Sequence, residues 1–67
     1  MNLKTFIKEK RKLANLTQPE MAEKAGVGLR FIREMEQGKV TLRMDKVNQV
    51  LKLFGFELGP VRMTSDQ

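Results

Sequence analysis

The chain has 67 residues, with thirteen Lys and Arg against eight Asp and Glu, a net charge of +5 and a pI near 10.0. A chain this short is expected to form one domain that buries too little surface to be more than marginally stable, so support from a partner chain is expected. With no cysteine and no histidine it has no disulfides, no thiolate metal sites and none of the commonest general base; the basic balance favours a polyanionic partner, whether DNA, RNA or an acidic membrane surface.

The run MNLKTFIKEKRK is charged within a few residues and contains no apolar stretch long enough for a signal peptide or a membrane span, so a soluble cytoplasmic protein is expected. Apolar residues then fall at Leu3, Phe6, Ile7, Leu13 and Ala14, with Lys10 in an expected apolar slot, which predicts an amphipathic helix ending near Asn15. Lys4, Lys8, Lys10, Arg11 and Lys12 outnumber Glu9, and this basic face is either solvated or set against phosphate.

Thr17-Gln-Pro-Glu20 is a capping box: the Thr17 hydroxyl can accept from the Glu20 N–H while the Glu20 carboxylate reaches back to the Thr17 N–H. Pro19 suits a first helical turn. A short second helix therefore starts at Gln18, buries Met21, Ala22 and Ala25, and stops at Gly26. A third opens at about Gly28, with Phe31, Ile32 and Met35 on one side, Arg30, Arg33, Glu34 and Gln37 on the other, Leu29 at the margin, and Gly38 as its end. Lys39 to Leu42 form a loop, and a fourth helix runs from about Arg43 to Phe54, with Val47, Val50, Leu51 and Phe54 on its apolar stripe and Gly55 closing it.

Beyond Gly55 the period changes. Phe56, Glu57 and Leu58 alternate, and the pattern resumes through Val61, Arg62 and Met63 after Gly59-Pro60, which reads as a short strand. With no second strand to pair with, its economical partner is a two-fold related copy from another subunit, through Phe56, Leu58 and Val61. The expected division is thus a helical domain over 1–55, the expected nucleic-acid-binding part, with its motif at 18–37, a dimerisation strand over 56–63, and a disordered tail over 64–67.

Two short helices joined at a glycine turn, the second with a polar and basic outer face, have the layout of a helix-turn-helix. Ala22 must be small where the third helix crosses, Gly26 must turn the chain, and Ile32 must plug the angle between the helices; the spacing Ala-x3-Gly-x5-Ile is met inside a capped, amphipathic context. The run LTQPEMAEKAGVGLRFIREMEQGK resembles the Cro/repressor-type (XRE) helix-turn-helix family, and VTLRMDKVNQVLKLFGFEL resembles the HipB-like antitoxins within it.

The resemblance spans about Leu3 to Leu58. It implies an all-α, four-helix Cro/repressor-like domain, and a homodimeric autorepressor on double-stranded DNA. The operator would be an inverted repeat with half-sites about one helical turn apart. It further implies a nucleoid-associated protein of prokaryotic cytoplasm that neutralises a HipA-like Ser/Thr kinase toxin, with no cofactor and no metal. By the same resemblance Gln18 contacts phosphate or braces a third-helix side chain; Gly28, Leu29, Arg30, Arg33 and Glu34 face the major groove; and Arg11 and Glu36 bridge the first and third helices.

Arg30 is the expected bidentate partner of guanine O6 and N7, whereas Arg33 reads a base or holds a phosphate. Leu29 touches a thymine methyl or covers the turn. Glu34 accepts from cytosine N4 or pairs with Arg30 four residues before it. Gln37 belongs to the same outer face, and Lys39 and Arg43 are expected phosphate contacts. An enzyme is not expected, since Ser65 is the one serine and no carboxylate cluster stands out. The rival readings are a stand-alone phage-type or restriction-controller repressor and a protein-interaction module that blocks a toxin without needing DNA.

Overall fold

Asn2 opens the first helix by accepting the Thr5 N–H on its side-chain oxygen at 2.9 Å, a cap that satisfies one of the free N–H groups of the first turn. In the computed structural model, which describes residues 2–63, four helices follow in order: α1 (Leu3–Leu13), α2 (Gln18–Ala25), α3 (Leu29–Glu36) and α4 (Met44–Lys52). The tail expected over 64–67 lies outside the described residues.

Each helix end has a local cause. Lys10, Arg11 and Lys12 complement the C-terminal dipole of α1, whose last turn closes as Asn15 takes φ +58° and the Leu16 N–H donates to the Arg11 carbonyl at 3.1 Å. Asn tolerates this left-handed conformation better than most side chains. Both halves of the capping box on α2 form, the Glu20 N–H donating to Thr17 Oγ1 at 3.2 Å and the Thr17 N–H to Glu20 Oε1 at 2.8 Å. The fourth helix is shorter than its apolar stripe predicts, because the chain tightens after Lys52 into bonds of three-residue span, Leu53 to Val50 and Phe54 to Leu51.

All four helices supply the core: Ile7 from α1, Met21 and Ala22 from α2, Ile32 and Met35 from α3, and Val47, Val50 and Leu51 from α4. Full burial of an aliphatic side chain of this size stabilises by roughly 1.5–3 kcal/mol. Because α2 and α3 are too short to hold their shape alone, this shared core is what fixes their angle.

The expected dimerisation strand over 56–63 is corrected: among the described residues no strand is present, and this segment runs without regular structure. A strand is defined by a ladder to a neighbouring edge, which one copy of the chain does not offer. Phe56 instead packs edge to face on Phe6, with centroids 4.9 Å apart, and the Leu58 N–H donates to Asn48 Oδ1 at 2.7 Å. Lys10, the charged residue in an apolar slot, lies over both rings, 5.5 Å from the Phe6 centroid and 5.2 Å from that of Phe56. Its cation is thus engaged on the fold's own aromatics.

Candidate nucleic-acid interface

The turn between α2 and α3 is built on Gly26, whose φ of +76° lies in the left-handed region. There its N–H and that of Val27 both reach the Ala22 carbonyl at 3.0 Å. From α4, Gln49 Nε2 donates to the carbonyls of Ala25 at 3.2 Å and Gly26 at 3.4 Å, clamping the turn from the far side. Nothing local in the sequence marks Gln49, an exposed amide that meets its partners only once α4 folds against α2.

A second brace sits beneath the motif. Arg11 donates through Nε to Glu36 Oε2 at 2.7 Å and through one η nitrogen to Oε1 at 3.1 Å, while its other η nitrogen donates to the Leu16 carbonyl at 2.9 Å. Gln18 Nε2 donates to the same Glu36 Oε1 at 3.0 Å. One carboxylate therefore joins α1, the start of α2 and the end of α3. The Glu36 side chain is 2% exposed and that of Arg11 14% exposed, so the pair is shielded from water. Burial alone would raise the Glu36 carboxyl, but the hydrogen bonds from Arg11 and Gln18 and the charges of Arg11 and Lys8 outweigh it and hold it below its ordinary value.

With Ile32, Met35 and Glu36 turned inward, α3 presents Arg30, Arg33 and Gln37 to solvent. The Arg30 side chain is 91% exposed, and Arg33 has no ion-pair partner among the described residues. Glu34 is pulled in, its Oε2 accepting from Arg30 Nε at 3.3 Å and lying 3.5 Å from Lys39 Nζ. Leu29, expected at the groove-facing margin, is half-buried against the core, because its place on α3 turns it towards the same side as Ile32. Gly28 is the N-cap with φ −74°, and a Cβ there would meet nothing within 4 Å. Its glycine is therefore required by neither backbone nor packing.

At the flanks, Gln18 opens α2 with its amide spent on Glu36, and Lys39 lies just past α3. Arg43, the N-cap of α4, is forked onto Asp45 by bonds of 3.2 and 2.7 Å, which hold the Asp45 carboxyl below its ordinary value. A phosphate would have to compete with that carboxylate for Arg43. Among the described residues no group of His, Cys, Asp or Glu could hold a metal ion, and no helix is long and apolar enough to cross a membrane.

Comparison with known proteins agrees with this geometry. The helix-turn-helix family profile matches residues 7–61. An uncharacterized HTH-type transcriptional regulator, y4mF, of Sinorhizobium fredii (strain NBRC 101917 / NGR234) is 56% identical over 45 residues, which cover 67% of this chain and 59% of that protein. The chain thus spans about three-fifths of the length of this relative. No solved structure matches the chain.

Proposed function

This chain belongs to the helix-turn-helix family, and from that premise we propose that it is a sequence-specific, double-stranded-DNA-binding transcriptional repressor of a prokaryotic cytoplasm that acts as a homodimer. The observation that carries the reading is an α3 buried along one side and open along the other, with Arg30 and Arg33 projecting from it and the turn before it clamped by Gln49. In this reading Arg30 takes a guanine edge in the major groove, while Lys39 and Arg43 exchange their carboxylate partners for phosphates. Exposed Val61 and Met63, at 87% and 80%, and half-exposed Phe56 support a second copy as the cover of the C-terminal segment.

The test is binding of the purified protein to duplexes recovered by it from a randomised pool, titrated against salt. If a dimer neutralises about eight phosphates, log K falls against log salt with a slope of roughly −7. Arg30→Ala is expected to weaken the recovered site by about 1–3 kcal/mol and random duplex far less. Equal affinity for every sequence, or none, would replace this reading with the protein-interaction one.

The narrower role of antitoxin to a HipA-like kinase rests on the resemblance of the Val40–Leu58 run. A fourth helix followed by no fifth among the described residues supports it, whereas the strand expected from the alternation of Phe56 to Met63 is not part of the single chain.

A further inference from the structure

Glu34 stands where two demands on the DNA-facing surface meet. One oxygen, Oε2, serves both Arg30, four residues earlier on α3, and Lys39, in the loop past its end. Its side chain is 26% exposed while that of Arg30 is 91% exposed, so the carboxylate lies at the foot of the arginine with the guanidinium standing out beyond it. The contact to Arg30 is through Nε, and its two η nitrogens have no hydrogen-bond partner among the described residues. Those η nitrogens are the end of the fork that a guanine O6 and N7 would take. Lys39 points its single charge at the same oxygen, where it is partly neutralised.

We propose that Glu34 is a specificity-determining positioning residue that reads no base itself. It steadies Arg30 from behind with the base-reading end free, and it lowers the attraction of Arg30 and Lys39 for phosphate of any sequence. The geometry has two consequences of opposite sign. On a site with the guanine in place, a steadied Arg30 loses less conformational freedom on binding, which favours that site. On random duplex the carboxylate only repels the backbone and competes for both cations, which disfavours it. A residue with this effect widens the gap between specific and non-specific binding from both ends.

The inference rests on the DNA-binding reading above, and the experiment keeps the two apart. Wild type, Glu34→Gln, Arg30→Ala and the double variant are titrated, across salt, against a duplex recovered by the wild-type protein from a randomised pool and against random-sequence duplex. Glutamine keeps the shape of the side chain and removes its charge. The expected result for Glu34→Gln is tighter binding to random duplex with a salt slope steeper by roughly 1 to 2, and a specific-to-random ratio lower by about ten-fold. In the Arg30→Ala background, Glu34→Gln should lower the ratio much less, because the side chain it positions is gone and only its hold on Lys39 remains. The melting midpoint should move by no more than about 5 °C, since the pairs it breaks are exposed.

An equal fall of the ratio with and without Arg30 would overturn the proposal in favour of a direct base contact by Glu34. A loss on both duplexes together with a large fall in melting midpoint would overturn it in favour of a purely structural role. An unchanged ratio would also overturn it while leaving the DNA-binding reading intact. Absence of salt-dependent binding by the wild-type protein would remove that reading as well.

Discussion

Among the described residues, the Glu36 carboxylate is the one buried charge. It accepts from Arg11 twice and from Gln18 once, and its side chain is 2% exposed. Removing Arg11 strands that charge out of water, which costs more than the intact pair contributes. Arg11→Ala should therefore destabilise by about 3 kcal/mol, and adding Glu36→Gln should recover part of that loss. Denaturant unfolding of the two variants checks this, the single variant being expected to be the weaker.

The pH dependence has a definite sign. The folded Glu36 carboxyl lies below its ordinary value, so the unfolded chain binds the proton more readily. The stabilisation is therefore fully present above about pH 4.3, the ordinary glutamate value, and is lost as pH falls through the lower folded value. Glu20, held down by its hydrogen bonds to Thr17, and Asp45, held down by Arg43, act in the same direction. Stability measured from neutral pH downwards should stay level to about pH 5 and then fall, less steeply in Glu36→Gln.

Among the elements, α2 is short enough to lean on both of its ends. It has eight residues and two buried side chains, so the capping box and the glycine turn are a large share of what holds its shape. Thr17→Ala should cost about 1 kcal/mol, and Gly26→Ala about 1–2 kcal/mol through the left-handed backbone it would have to keep. The latter cost is conformational, since the added Cβ would stand 3.6 Å from Gln49 Nε2, an ordinary contact. Thermal melts should place both variants below wild type by at least about 4 °C.

The ends of α2 were legible because capping boxes and glycine stops are local chemistry. Four- and three-residue apolar spacing likewise announced the buried sides of α3 and α4. The last turn of α4 was not legible, since Leu53 and Phe54 keep the apolar rhythm while their backbone tightens into a shorter-range turn. Nor was the whole fate of Lys10: Phe6 is its neighbour one turn earlier on α1, but the second ring beneath it, Phe56, returns from the other end of the chain.

For the molecule as a whole, a small core leaves apolar surface uncovered. Phe56, Val61 and Met63 are 45%, 87% and 80% exposed along one segment. If a second copy covers it, Val61→Asp should turn the dimer into a monomer in sedimentation while leaving the helical circular dichroism unchanged, because the single chain leaves Val61 87% exposed. A monomeric wild type would sink the homodimer.

The sequence by itself determined four helices, the helix-turn-helix layout and which arginines face outward, because caps, glycine stops and apolar periods act over a few residues and are written where they act. Only the tertiary structure decided what separated residues do to one another. It drew Leu29 against the core, set Gln49 on the turn, gave Arg11 and Gln18 the same carboxylate, and tied the C-terminal segment to α1 and Asn48 in place of a strand. Those contacts join residues far apart in the chain, so no local spacing encodes them; they form when four short helices share one core and leave their remaining polar groups to be satisfied across it.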